Sequence, residues 1–251
     1  MIFILVEQCL HKLDEHQYQM GTIESKDFNW TRDGVTFFRN HRNKIWANIL
    51  LYIPIAHATN GKKKIHPNVL KCWNLALCIF NTVGTYKTIP FLLKFNNVCD
   101  TTYLENSAIS KWVYYFNLSK LVELWDILLI DRVSKEHLYH HLMTLLYVFH
   151  SSLIENHSGI WNSGPNYFAH SIMYLHLFLK GLGVASPLKK FVGVSQLIEM
   201  IIGISVQLLT FHCSTHNRFN TGLGLCMYVS YLYLFGRLYF QKKENKTDIK
   251  I

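Results

Sequence analysis

At 251 residues, with 50% hydrophobic and 14% aromatic content, the chain carries apolar runs too long and too evenly spread for an ordinary soluble domain. The formal charge of +9 invites a nucleic-acid reading, but the basic residues sit between the apolar runs instead of covering one face, which argues against it.

In chain order, residues 1–44 read as a polar, partly amphipathic arm. Residues 1–6 are apolar only briefly and lack a basic leader, which argues against a cleaved signal peptide. From 46 to 240 apolar runs recur with short polar breaks, and at about 20 residues per crossing about seven spans fit. The expected spans are 45–59, 69–93, 112–130, 141–156, 160–179, 188–211 and 219–240. The fold class is therefore an all-α integral membrane protein, with 45–240 as one multi-span body and 241–251 as a basic tail. No internal repeat or flexible linker divides it.

The charges orient this body. Lys62, Lys63 and Lys64 follow the first span, Arg132 and Lys135 the third, Lys180, Lys189 and Lys190 the fifth, and Lys242, Lys243, Lys246 and Lys250 lie in the tail. The intervening connections near 99–105, 155–159 and 213–217 have few Lys or Arg. By the positive-inside rule the amino terminus lies outside the cytosol and the tail inside it, which requires an odd number of crossings. The tail's own charge reads as a solvated terminal run before it reads as a lipid-binding patch.

Six cysteines show no Cys-x-x-Cys spacing, hence no zinc or redox motif. Cys72, Cys78 and Cys226 fall in apolar runs and read as small core residues. Cys99 and Cys213 fall in non-cytosolic loops, where disulfides persist, and a bridge between them is the expectation.

Ionisable groups inside the spans are the informative feature, because each costs roughly 2.5 to 3.5 kcal/mol at a bilayer centre. On a helix Lys120, Glu123 and Asp126 share an arc of about 120°. They form either a salt-bridged packing seam or a polar wall that orients neighbours or holds a phosphate-bearing substrate, Lys120 being suited to the last task. His137, His140 and His141 share one face of the next helix. A lone apolar-face histidine is usually a core residue, but three within five residues point to chemistry: proton transfer, nucleophilic attack or metal ligation. In the fifth span Asn166, His170 and Met173 stack on one side, flanked by Tyr174 and His176; Met173 and Tyr174 alone would be tunnel lining. In the sixth, Gln196, Glu199, Gly203 and Gln207 make a stripe about 80° wide, and helix–helix bonding suffices for Gln207. Four helices aiming polar groups inward amid apolar surface suit a long apolar substrate with a reactive polar end.

In this order the residues resemble the ELO family of very-long-chain fatty acid elongases. The segments are Lys120-Leu-Val-Glu123-Leu-Trp-Asp126-Ile127, His137-Leu-Tyr139-His140-His141, Asn166-Tyr-Phe-Ala-His170-Ser-Ile-Met173-Tyr174 and Gly193-Val-Ser-Gln196-Leu-Ile-Glu199. Trp73-Asn74 and Phe80-Asn81-Thr82-Val83-Gly84 look like the family's second span and its turn. Departures are Ile127 for Thr, His176 for Tyr, and Gly193 and Glu199 for a Thr and a second Gln. The spacer between Asp126 and His137 is also shortened, and the tail carries no lysine pair of the retrieval type.

The resemblance implies the condensing step of fatty acid elongation: long-chain acyl-CoA and malonyl-CoA give 3-ketoacyl-CoA, carbon dioxide and CoA. It also implies seven transmembrane helices, six of them forming an inverted barrel around an acyl tunnel in the endoplasmic reticulum membrane, with no cofactor and no metal. Reductases and the dehydratase of the elongation cycle are implied partners, with a homodimer as one oligomeric option. In the expected mechanism His140 attacks the thioester, and His137 and His141 orient it or move protons. His170 and Asn166 stabilise oxyanion charge, Lys120 and the basic loops take CoA phosphates, and Glu123, Asp126, Tyr174, Gln196 and Glu199 complete the substrate side. No cysteine neighbours the box in sequence, which favours a histidine nucleophile. Two rivals stand beside this reading. A membrane di-iron desaturase or hydroxylase needs about eight converging histidines, and the ligand-spaced His212 and His216 are expected on the opposite side from His137. A seven-span receptor or transporter would use the buried charges without turnover.

Overall fold

The computed structural model describes residues 27–62, 66–94, 97–154 and 158–247, with side chains as far as 240. Residues 1–26, Lys63, Lys64 and the side-chain charges of the 241–251 tail lie outside the described residues. Among those described there are seven long helices and no strand: α1 Arg42–Thr59, α2 Pro67–Leu92, α3 Ser107–Glu123, α4 Lys135–Leu153, α5 Gly159–Gly181, α6 Lys189–Thr210 and α7 Arg218–Thr247. Each overlaps one expected span. By length and composition alone, three are apolar enough to cross a membrane: α2, α6 and the Arg218–Phe240 part of α7. Inward polar groups dilute the apolar content of α3, α4 and α5.

Local chemistry sets the helix boundaries. Asn106 caps α3 by accepting from Ile109 N at 3.2 Å, and Pro67 opens α2, where a missing N–H costs nothing. Two differences from the expected boundaries bear on the site. The third apolar run is not one α-helix, since α3 ends at Glu123 and Leu124–Leu128 tightens into a 3-10 turn. The fourth helix starts before its apolar run, at Lys135, because Ser134 Oγ accepts from His137 N at 3.2 Å. Within the expected arm, Trp30–Val35 and Thr36–Asn40 are helical, and Trp30, Val35 and Phe38 are buried in the main core. Asn29 starts this hook by accepting from Arg32 N at 2.8 Å, while its own N–H donates to Asp33 at 2.8 Å.

Neighbour contacts run from α2 to α5, α6, α7, α4, α3 and back to α2, with α1 outside against α4. The α2–α5 seam is the longest. It is close because a Cβ on Gly84 would lie 2.6 Å from the Tyr167 ring, so only glycine lets that ring settle on the α2 backbone. Tyr167 Oη then donates to Trp112 O at 2.9 Å, tying α5 to α3.

The bundle has two distinct ends. At the basic end the α1–α2 turn meets the segment before α4, where Gly61 N donates to Asp131 O at 2.7 Å and Val133 N to Asn60 Oδ1 at 2.9 Å. At the other end the expected bridge between Cys99 and Cys213 is formed, with Cα atoms 5.5 Å apart. Cysteine burial requires one correction: Cys78 is buried, but Cys72 and Cys226 are exposed on outward helix faces. An apolar run records that a helix is greasy, not which side a small residue faces.

Candidate functional site

The Ser134 cap puts the histidine box in the first turns of α4, so spacings of three and four residues bring the rings onto one face. His137 and His141 stack with centroids 4.1 Å apart, and His140 meets His141 edge-on at 5.6 Å. From α7, Tyr231 and Phe235 close over His140 at 4.6 and 5.4 Å. Tyr231 Oη donates to His140 O at 2.8 Å and lies 2.8 Å from Thr144 Oγ1, fixing α7 against the box. His137 Nε2 and His140 Nδ1 are buried without a hydrogen-bond partner. They are the atoms left to meet a ligand or a proton.

Facing the box lies a buried network from three helices. Lys120 Nζ donates to Glu123 Oε1 and Oε2 at 2.9 and 3.1 Å and to Asn166 Oδ1 at 3.0 Å, which engages all three ammonium protons. Ser119 Oγ donates to Glu123 Oε1 at 3.0 Å. With its oxygen held by Lys120, Asn166 turns its Nδ2 to Glu199 Oε1 at 2.7 Å and to His170 Nε2 at 3.3 Å. An Nε2 that accepts leaves its proton on Nδ1, and His170 Nδ1 is buried and unpaired. One lysine thereby fixes an amide orientation, and the amide fixes an imidazole tautomer.

Asp126 leaves the α-helical arc assumed from sequence, because it sits in the 3-10 turn, but it remains buried and inward. The Trp73 indole of α2 donates to its Oδ1. Ligand atoms of Asp126, His137 and His141 all lie within 4.8 Å of one another, a carboxylate and two imidazoles of the kind that can hold a transition metal. Tyr174 is buried edge-on to His170, at 5.7 Å, on the α2 side beside Leu77 and Cys78. Gln196 stands apart from the network, its Nε2 pointing at Met173 Sδ 3.5 Å away. His212 follows α6 beside the disulfide, at the opposite end from the box, and His216 lies in the same loop.

A narrow cavity starts between His140, Asn166 and Glu199 and follows α4 and α5 toward Trp30, Ser158 and Gly159. His140 is the one box histidine that lines it. Sequence reasoning left three contributors without a role: Trp73, Tyr231 and the Ser134 cap. Tyr228, Tyr231 and Phe235 recur at three- and four-residue spacing, a signal that α7 turns an aromatic face inward. Ser134 before a helical run was a readable cap. The reach of Trp73 to Asp126 had no local signal.

Together the bundle and its contents define an all-helical protein with membrane-grade helices, in which the His140 imidazole lines the head of a narrow internal cavity. The ELO family model (GNS1/SUR4 family) matches residues 42–249, and the chain belongs to that family. It is 31% identical over 264 residues to very long chain fatty acid elongase 6 of Gallus gallus, covering 94% of this chain and 95% of that protein. It is 32% identical over 263 residues to very long chain fatty acid elongase 6 of Homo sapiens, covering 93% and 94%. Fatty acid elongase 1 of Trypanosoma brucei brucei is 32% identical over 193 residues, 66% of this chain, and the match spans 63% of that relative's length. No solved structure matches the chain.

Proposed function

We propose that the protein is the condensing enzyme of fatty acid elongation, joining a long-chain acyl-CoA to malonyl-CoA with release of carbon dioxide and CoA. The observation that carries this is the position of His140, an unpaired imidazole at the head of the cavity beside Asn166 and Glu199. Family membership and the elongase names of its relatives support it.

An imidazole nitrogen of His140 attacks the thioester carbonyl, the C–S bond breaks, and CoA leaves and takes up a proton, with His137 and His141 as the neighbouring relay. Malonyl-CoA then loses carbon dioxide, and the C–C bonding pair becomes an enolate. Its carbon attacks the acyl-imidazole, the new C–C bond forms and His140 is released. In this reading the Nδ1–H assigned to His170 donates to developing oxyanion charge, with Asn166 holding that ring and Glu199 holding Asn166. Since Lys120 is engaged within the network, the CoA phosphates fall to exposed cations at the basic end, among them Lys62, Arg132, Lys135, Lys180 and Lys189. Glu123, Asp126, Tyr174 and Gln196 frame the site without touching the reacting atoms. None of these steps calls on a metal or a cofactor.

All seven long helices cross the bilayer in this reading, and α2 to α7 form an inverted barrel around the acyl chain with α1 outside; the closed circuit of helix contacts supports it. The endoplasmic reticulum membrane, where elongation reductases and the dehydratase would hand substrates on, is the proposed location. The cluster of Asp126, His137 and His141 favours one second reading, a metal-dependent membrane oxidoreductase. A di-iron centre needs about eight ligands of this kind, yet His212 and His216 sit at the far end of the bundle. The deciding experiment is incorporation of radiolabelled malonyl-CoA by purified protein given acyl-CoAs of graded length, with iron and zinc measured on the same preparation. Condensation at metal contents far below one per chain supports the elongase; turnover that rises and falls with bound metal overturns it.

A further inference from the structure

Asp126 is a buried carboxylate with no cation bonded to it. The three protons of the Lys120 ammonium go to Glu123 and Asn166, and the donor that Asp126 does have, on Oδ1, is the neutral Trp73 indole, so lone pairs remain on both of its oxygens. Two imidazoles face it. His137 and His141 are four residues apart in the first turns of α4, which places their rings on one helix face, stacked with centroids 4.1 Å apart. His137 Nε2 is buried and has no hydrogen-bond partner. Two histidines at this spacing on a helix, joined by a carboxylate from another segment, are a donor set of the kind that holds zinc. Ligand atoms on one zinc ion, each about 2.0–2.2 Å from it, lie within about 4.4 Å of one another. Those of Asp126, His137 and His141 lie within 4.8 Å, so small side-chain adjustments close them onto an ion.

A proton relay accounts for two rings beside His140, but it gives no reason for a carboxylate to face them without a positive partner, since a buried anion is costly unless paired. A divalent cation among the three supplies that charge. Two imidazoles and one oxygen donor suit a zinc-like ion better than calcium or magnesium, which take oxygen ligands. Both rings are half-buried where α4 begins, at the basic end of the bundle, so an ion has a way in. His140, which lines the cavity, stands outside the set.

We propose that Asp126, His137 and His141 bind one divalent transition-metal ion of the zinc class, and that the occupied site arrests condensation. Metal binding stands on this geometry alone. The arrest rests on the elongation reading, in which these two rings are the relay beside His140, and an ion on their lone pairs removes both as proton acceptors. Untagged full-length protein in detergent, stripped with a chelator, is titrated with cobalt(II) chloride, whose visible absorption reports its ligands, and then with zinc chloride. One cobalt ion per chain is expected, displaced by zinc. In Asp126→Asn, which keeps an acceptor for the Trp73 indole, and in His141→Gln the affinity should fall at least about 100-fold, the upper end of what losing a group that merely supports a ligand costs. His212→Gln, an exposed ring at the other end, should leave it unchanged. On the same wild-type preparation, incorporation of radiolabelled malonyl-CoA should fall at least about 10²-fold as the site fills, the lower end of what proton transfer by a positioned side chain contributes, and return on adding chelator. Independently of any variant, zinc should raise the Tm of the wild-type protein by binding its folded state; a Tm that zinc does not raise would overturn the site. So would several weakly bound ions whose affinity Asp126→Asn and His141→Gln leave unchanged, the mark of surface histidines. Condensation that continues undiminished with the site filled would overturn the arrest. Absence of condensation in the metal-free protein, with one cobalt ion still bound and lost in the two variants, strikes the elongation reading and leaves the metal site standing.

Discussion

The two ends of the cavity use polar groups in opposite ways. At the head, the charges are consumed by one another: the Lys120 ammonium is shared between Glu123 and Asn166, and Asn166 passes its amide to Glu199 and His170. What remains unpaired there is imidazole nitrogen. At the far end no charge lines the described wall; neutral groups bond one another there, Asn117 to Ser152 and Asn162 to Ser158, and the Trp30 indole N–H remains unpaired. The Lys120–Glu123 pair therefore serves as architecture, while His140 and the Glu199 carboxyl group border the space that a ligand would enter.

The comparison breaks first at His140. His140→Ala should lower condensation at least about 10³-fold in the malonyl-CoA incorporation assay, since both nucleophile and proton acceptor are lost; activity within tenfold of wild type would move the reacting group elsewhere. Next is the claim that the charges are architectural. Lys120→Met leaves the Glu123 carboxylate buried without its counter-ion and Asn166 Oδ1 without its donor, and should cost about 3–5 kcal/mol in thermal or denaturant unfolding in detergent. Lys120→Met/Glu123→Leu should recover a large part of that loss, and a double variant no better than the single would show that the pair is not the unit. Trp73→Phe removes the indole donor to Asp126 and should cost about 1–3 kcal/mol, the penalty for leaving a buried polar group without its partner. Gln207→Met should be the mildest, within about 1 kcal/mol, because its amide makes only a long bond to Asn162 at 3.5 Å and the neighbouring Tyr147 hydroxyl keeps Ser151, Ser158 and Asn162 as partners. A large loss there would place the far end with the head as a structural network.

Much of this was legible in the sequence for physical reasons. Apolar runs mark helices wherever polar backbone must be bonded internally, and charged residues within them stand out because their burial is costly. Lys120, Glu123, Asn166, His170 and Glu199 were readable as inward groups, and the structure joins them in one network. What stayed hidden depends on distance along the chain or on local helix geometry. The bond from Trp73 to Asp126 spans 53 positions, and no periodicity encodes it. The 3-10 turn that carries Asp126 looks from sequence like continued α-helix. Residues 30–40 read as part of a polar arm because their few large apolar side chains, Trp30, Val35, Phe37 and Phe38, are mixed with charges, yet Trp30, Val35 and Phe38 are buried. Gln196, grouped with Glu199 by spacing, turns toward a thioether instead.

The bridge from Cys99 to Cys213 joins the segment after α2 to the segment after α6 across a separation of 114 residues. Translation at roughly 5–20 residues per second leaves Cys99 a solitary thiol for about 6–23 s before its mate is made. Four helices, α3 to α6, are made in that interval. The staple is thus a late event of biogenesis, and oxidant reaching that end of the bundle would lock only those chains whose intervening helices had already found their places.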